Sequence, residues 1–544
     1  MALRYRGYHL HNWPFSVYGR GPSNVDGETD LMAPARKAQN ILILMADQLA
    51  PHFTGAYGHE LVKTPNMDRL AESGCIFNAA YTPSPLCAPA RFSFMSGKLP
   101  FGIQAYDNAA EFSSSVPTFC HYLRRLGYHS CLSGKMHFVG PDQLHGFSQR
   151  LTTDIYPADY SWTPNWLKPD ERIDVWYHNM SSVHEAGTAE ITYQLEYDDE
   201  VGFHAMRKLF DYAREPEQQP FAMVVSFTHP HDPYVARSKY WDLYEHDQID
   251  LPALSPSEVS ADPHSTRILR GIQADVHAAD EQSMRNARHA YYANVSYIDD
   301  QIGQFLDALK VTGLIENTVI LVTADHGDML GERGLWYKMH FYEHAARVPL
   351  IAAGPGIIRN EIDSACSLID LVPTLIDIAT EGKDSGGEGV DSIDGTSLYP
   401  LMTESGARGD DCVISQYAAE CAIEPMVMIR EGNFKFIFSE SEPPMLFNLE
   451  DDPHELDNLS EKDDYRVTVD SFTQQIRSRW NLNEIREQVI ANQQSRLLIQ
   501  EIESKSRTSS WDFQPFRNAT DDYIRSHKEL DEIGDKRRFP RTTL

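Results

Sequence analysis

No stretch of this 544-residue chain is apolar for long enough to cross a bilayer, which takes ~18–20 residues. The longest apolar runs, Asn40–Ala46 and Thr318–Thr323, have the length of buried strands. Basic residues are scarce: 48 Lys and Arg against 79 Asp and Glu leave a formal net charge of -31. Nucleic-acid binders rely on Lys and Arg to neutralise phosphates, so this balance excludes a general partner of that kind. It favours a neutral or cationic small molecule over a polyanion. The seven cysteines (75, 87, 120, 131, 366, 412 and 421) are scattered, and none forms a zinc-like pair. An odd, widely spaced set in a chain this large reads as thiols kept in a reducing compartment. Residues 1–38 hold no continuous apolar segment of the secretory type, so cytoplasmic residence is expected. The early Arg4, Arg6 and Arg20 leave a mitochondrial presequence as the minor alternative.

What the chain does contain is a succession of short, fully apolar runs. Asn40–Asp47 comes first and ends in an acid; Phe221–Phe227, Thr318–Thr323, Val348–Ala353 and, less cleanly, Met426–Ile429 follow. Helix-period patterns lie between them, at Thr64–Gly74, Pro117–Gly127, Val201–Arg214 and about Ala287–Thr312. Buried strands alternating with helices predict an α/β fold, a large mostly parallel sheet sandwiched by helices. The texture changes near residue 400. Cys412–Tyr417, Pro425–Arg430 and Phe434–Ser439 read as short strands joined by turns, and a charged helical stretch near Asp464–Gln500 follows. The predicted organisation is a loose extension over 1–38 and a main domain over 39–400. A smaller α+β domain with an antiparallel sheet over 401–505 and a tail over 506–544 complete it.

Three sets of residues carry chemistry. The first is Cys87-Ala-Pro-Ala-Arg91. Pro89 suits the first turn of a helix, and Arg91 then lies one turn from Cys87 on the same face. A nucleophile at a helix N-terminus beside an Arg is well placed to hold an anion, although a buried structural cysteine fits the same five residues. The second set is acids at the ends of buried strands: Asp47, and Asp325-His326-Gly-Asp328. Ligands of open α/β sheets bind beyond the carboxyl ends of strands, where two carboxylates and an imidazole can hold a divalent cation. Helix capping is the plainer role for either aspartate. The third set is Ser133-Gly-Lys135-Met-His137, Thr228-His229-Pro-His231-Asp-Pro233 and Trp336-Tyr-Lys338-Met-His340. In the first two clusters the polar residues are two apart and point the same way on extended chain.

Taken together these residues resemble the type I sulfatases of the alkaline phosphatase-like superfamily. The resemblance runs from Asn40 through Thr64-Pro-Asn-Met-Asp-Arg-Leu-Ala71, the Cys87–Arg91 signature with Ser96-Gly97, Gly334-Leu-Trp-Tyr-Lys338 and Arg347-Val-Pro-Leu350 to Leu446–Glu455. Gln48 stands where many members have a second acid, and His326 where most have Asn. Those departures, with Gly102–Phe112, Gly140–Gly146 and Leu151–Tyr160, are similar to the choline-sulfatase branch.

The resemblance implies that Cys87 is oxidised to Cα-formylglycine by a formylglycine-generating enzyme. One hydroxyl of the hydrated aldehyde would attack sulfur, and the other would later expel sulfate. One divalent cation is implied among Asp47, residue 87, Asp325 and His326, with Gln48 as a weaker ligand. Calcium is the family's ion, and manganese is the alternative that an imidazole ligand raises. Arg91 would orient position 87, while Lys135 and Lys338 would neutralise the sulfuryl oxygens beside His137. His229 or His231 would protonate the leaving oxygen, and Lys338 could also help it depart; the sequence does not rank the two histidines. The implied substrate is choline sulfate, its ammonium held by Trp162 and His178 with Tyr156 or Tyr160, and Asn108 in contact with the ester or the sulfate. The branch also implies a homo-oligomer, a dimer or tetramer, in which the tail brings Asp531 to a neighbour's pocket. An arylsulfatase, a phosphonate monoester or phosphodiester hydrolase, and an inactive sulfatase-like binding protein are the competing readings.

Overall fold

Eight strands make the main sheet of the computed structural model, which describes residues 38–169, 171–172, 178–215, 219–259, 262–383 and 392–505. In chain order they are β1 (Asn40–Asp47), β2 (Cys75–Phe77), β3 (His129–Gly134), β4 (Gln149–Arg150), β5 (Phe221–Pro230), β6 (Thr318–Ala324), β7 (Leu350–Ala353) and β8 (Asn360–Ile362). Their order across the sheet is β8-β2-β7-β6-β1-β5-β3-β4. β6, β1, β5, β3 and β4 run parallel, whereas β7 is antiparallel to β6 and to β2. Every residue of β1, β5 and β6 is buried, which explains their unbroken apolar sequences. A parallel strand covered on both faces has no solvent side to mark with polar residues. Among the helices that flank the sheet are α1 (Pro65–Ser73), α2 (Cys87–Ser96), α3 (Phe119–Arg125), α4 (Tyr193–Arg214) and α5 (Glu281–Thr312).

The second sheet is an antiparallel meander of β9 (Cys412–Tyr417), β10 (Met426–Glu431), β11 (Phe434–Phe438) and β12 (Met445–Asn448). Met426–Ile429 therefore belongs to this sheet and not to the parallel one. The helical stretch expected as one piece is two, α6 (Arg466–Arg479) and α7 (Leu482–Ser504). Trp480 between them is extended, and the Asn481 side chain caps the second helix by accepting from Glu484 N. No helix among the described residues is long and apolar enough to cross a membrane. All seven cysteines are free.

The parallel strands deliver the site. Asp47 closes β1, Lys135 follows β3, His229 lies near the end of β5, and Asp325 follows β6. These four strands are neighbours, so the groups they carry meet at one edge of the sheet. Gly134, at φ +108°, makes the close passage possible: a Cβ there would sit 1.9 Å from the Ser226 carbonyl oxygen.

Candidate active site

Cys87 is the first residue of α2, and its side chain is buried. Leu86 at the cap position offers no polar side chain, so the Ala88 N–H is satisfied from a distance by Asn108 Oδ1 at 3.0 Å. Cys87 Sγ lies 3.2 Å from His326 Nε2 and 4.0 Å from Asp47 Oδ1. Arg91 sits one turn on, fully buried. Its Nε donates to Asp325 Oδ2 (2.8 Å) and its Nη2 to Asp47 Oδ2 (3.1 Å). Its Nη1 donates to the Lys135 carbonyl (2.6 Å) and Ser226 Oγ (2.8 Å). One guanidinium thus ties together the ends of β1, β3, β5 and β6.

One ligand atom each from Asp47, Cys87, Asp325 and His326 falls within a 4.8 Å group, all four residues being buried. Two carboxylates, an imidazole and the side chain at 87 are a fitting donor set for one divalent cation. His326 Nδ1 hydrogen-bonds the Gly327 carbonyl (3.0 Å), which turns Nε2 toward the other three. Burial, helped by the Lys338 charge, depresses the His326 pKa, so the ring is in the neutral, ligating form. Burial opposes ionisation of Asp47, yet Lys135 and Arg91 hold its carboxyl below the usual range. Lys135 Nζ bonds directly to Asp47 Oδ2 and lies 4.2 Å from the centre of the Tyr156 ring. Gln48 is differently engaged. Its Nε2 donates to Asp328 Oδ2 (2.6 Å) and its Oε1 accepts from Lys338 Nζ (2.6 Å), so its amide braces the lysine beside the metal group.

The two histidines of His-Pro-His part company. His229 Nδ1 bonds Asp198 Oδ2 (2.6 Å) and its ring packs edge-on against Tyr297. His231 Nδ1 donates to the Asp232 carbonyl (2.7 Å), leaving Nε2 to accept from Lys338 Nζ (2.7 Å). That pattern assigns a neutral ring, and burial beside Lys338 pushes its pKa well down. A chain of rings then encloses the site: Trp162 against Tyr156 (5.2 Å) and His137 (5.7 Å), Tyr156 against His231 (5.8 Å), and His178 against His231 (5.5 Å) and Tyr337 (4.7 Å). Tyr156 is the tyrosine in this wall; the Tyr160 hydroxyl turns to Glu111. Both ring nitrogens of His137 are buried without a hydrogen-bond partner among the described residues. Gln48, His137, Tyr337 and Met339 all hold positive φ (60–76°), so backbone strain is concentrated around this wall and Lys338.

Two acids here were not singled out from the sequence. Asp232 carries Oδ2 3.4 Å from His178 Nδ1 and Oδ1 3.2 Å from His231 Nδ1, so one carboxylate braces both rings. Glu420, in the loop after β9, is buried with neither carboxylate oxygen hydrogen-bonded among the described residues. Burial first, and Asp107 second, push its pKa up to about 8, and it lies within electrostatic reach of Lys338 and Cys87. A polar signal existed for Asp232 in the His-Asp-Pro run. None existed for Glu420, which comes within electrostatic reach of Lys338 only through the packing of a distant loop. Asp531 lies outside the described residues.

With this geometry in hand, the chain belongs to the sulfatase family: residues 39–381 match the family described as Sulfatase. Residues 331–481 match the one described as N-sulphoglucosamine sulphohydrolase, C-terminal, and residues 487–539 the one described as Choline sulfatase enzyme C terminal. The choline-sulfatase of Rhizobium meliloti (strain 1021) is 46% identical over 92% of this chain and 98% of that protein. An arylsulfatase of Clostridium perfringens is 27% identical over 79% of this chain and 92% of its own length. The crystal structure of the phosphonate monoester hydrolase of Agrobacterium radiobacter superposes with a TM-score of 0.62 at 22% identity. It covers 83% of this chain and 96% of that one, which establishes the shared fold.

Proposed function

We propose that this sulfatase hydrolyses choline sulfate to choline and sulfate. The observation that carries the reading is the ring wall of Trp162, Tyr156, His178 and Tyr337 around Lys338 and His231. A quaternary ammonium cannot donate a hydrogen bond and is held by aromatic faces and an opposite charge. Glu420 offers the charge once it ionises, above about pH 8. The 46% identical choline-sulfatase supports the same choice.

The reaction divides among the residues as follows. A formylglycine at position 87, made by a formylglycine-generating enzyme, would supply the oxygen nucleophile, and Asp47, Asp325 and His326 would hold a divalent cation that would supply Lewis acidity. Calcium is the first ion to test and manganese the second. Arg91 fixes both carboxylates and the start of α2. Lys135 and the His137 ring nitrogens, which have no hydrogen-bond partner among the described residues, face the sulfuryl oxygens. Lys338 donates the proton to the leaving oxygen, and His231 Nε2, its hydrogen-bond partner, holds that lysine in place; His229 instead anchors the end of β5 on Asp198. Asn108 holds the helix that carries residue 87. The unpaired cysteines suit a reducing, cytoplasmic setting. The reading includes a homo-oligomer in which the tail, within the matched residues 487–539, brings Asp531 to a neighbouring pocket.

The test is selectivity in protein made beside a formylglycine-generating enzyme. The Cys87 peptide should show the aldehyde by mass spectrometry, and kcat/KM should favour choline sulfate over 4-nitrophenyl sulfate and over a phosphonate monoester. Cys87→Ala should abolish turnover with an unchanged melting temperature. Preference for either of the other substrates would overturn the assignment, and an active Cys87→Ala variant would overturn the mechanism.

A further inference from the structure

Helix α7 reaches the loops that flank the substrate wall through a buried ion pair. Arg496 Nη1 donates to Asp107 Oδ1 at 2.6 Å and Nη2 to Asp107 Oδ2 at 2.7 Å, with the two side chains 5% and 0% exposed. The same Nη1 reaches Thr163 Oγ1 at 3.3 Å. Both partners stand next to residues of the site. Asp107 precedes Asn108, whose Oδ1 accepts the Ala88 N–H at the start of the nucleophile helix, and Thr163 follows Trp162. One side chain therefore fixes two loops that approach the substrate from different parts of the chain.

Neighbouring contacts of the helix act on the same loops. Gln493 Oε1 accepts from Trp166 N (2.9 Å), Gln494 Nε2 donates to Asn165 Oδ1 (3.0 Å), and the Tyr106 hydroxyl donates to Gln488 Oε1 (3.3 Å). These single hydrogen bonds leave rotational freedom. The two-pronged guanidinium–carboxylate contact does not, because a planar fork fixes direction as well as distance. Asp107 completes the anchor on its own side: its Oδ1 also accepts from Ala109 N (3.0 Å), which folds the Asp107–Ala109 turn around the paired carboxylate.

We propose that Arg496 is a positioning residue for substrate selectivity: through Asp107 and Thr163 it holds the Asn108 and Trp162 loops at the spacing that admits a trimethylammonium ester. The inference rests on the choline-sulfate reading of the site. A flat aryl ester makes less use of that spacing, since it needs no enclosing cage. Loss of Arg496 therefore costs the cationic substrate more than the aryl one. A residue that merely stabilised the fold would lower both alike.

The experiment measures kcat/KM on choline sulfate and on 4-nitrophenyl sulfate for the formylglycine-bearing wild type, Arg496→Met, Arg496→Lys and Asp107→Asn. The expected result is a selectivity ratio lowered roughly tenfold or more in Arg496→Met, expressed mainly in KM for choline sulfate, with partial recovery in Arg496→Lys. Should Arg496→Met yield no folded protein, the two conservative variants give the same reading, each with a lowered ratio. A ratio equal to wild type in every folded variant overturns the inference alone. A wild type without preference for choline sulfate overturns the function reading itself and takes the inference with it.

Discussion

Glu420 is a carboxyl group with a charge it cannot easily carry. Burial holds it protonated up to about pH 8, and Asp107 adds to the penalty, while Lys338 opposes both. A trimethylammonium group beside it needs the carboxylate, and that cation cannot itself titrate. Raising the pH through about 8 therefore supplies the charge the substrate needs, so kcat/KM for choline sulfate should climb there. The profile for 4-nitrophenyl sulfate should lack that limb, and Glu420→Gln should flatten it for choline sulfate. An identical limb on both substrates would assign it to the catalytic groups. The contrast with Cys87 shows what a sequence carries at this scale. Cys87, Arg91, Asp47, Asp325 and Lys338 sit in short runs whose spacing already reflects a strand end or a helix start. Glu420 sits in Ala418-Ala-Glu-Cys421, where nothing local distinguishes it; its burial is a matter of tertiary packing, in a loop whose Ala419 carbonyl accepts from Trp166 Nε1.

Among the elements, β11 shows how the second sheet is fastened to the first. Its sequence, Phe434-Lys-Phe-Ile-Phe438, places a lysine where the chain is fully buried. Lys435 Nζ meets Glu343 Oε1 at 2.9 Å and Glu455 Oε1 at 2.8 Å, joining the segment before β7 to the loop after β12. Breaking a buried pair by removing one partner leaves an uncompensated charge, so Lys435→Met should cost ~3–5 kcal/mol in urea denaturation. A loss below about 1 kcal/mol would mean that the carboxylates simply take up protons. Elements were legible where burial was complete. β1, β5 and β6 announced themselves as apolar runs, but β3 did not: its Ser130 and Ser133 are buried and satisfied by the Gly146 and Val201 carbonyls. The break between α6 and α7 did leave a trace, Asn481-Leu-Asn-Glu484, the spacing of a helix cap, which the continuous charge pattern obscured.

At the scale of the whole molecule the formal charge of -31 acts on every substrate before it reaches the site. Choline sulfate is a zwitterion of zero net charge and feels little of that field, whereas 4-nitrophenyl sulfate is a monoanion and is repelled. The local cations Arg91, Lys135 and Lys338 are buried and paired with Asp47, Asp325, Gln48 or His231, so they act only at contact distance. The acidic surface is thus itself a source of selectivity, independent of the ring wall. Screening should remove it, because the Debye length shrinks from about 30 Å at 0.01 M salt to about 10 Å at 0.1 M. Between those concentrations kcat/KM for 4-nitrophenyl sulfate should rise, while that for choline sulfate should change by less than about twofold. The selectivity ratio should fall as salt is added and then level off at the value set by the pocket alone. A ratio that instead rises with salt would show that the buried cations, and not the net charge, govern the approach of the anionic ester.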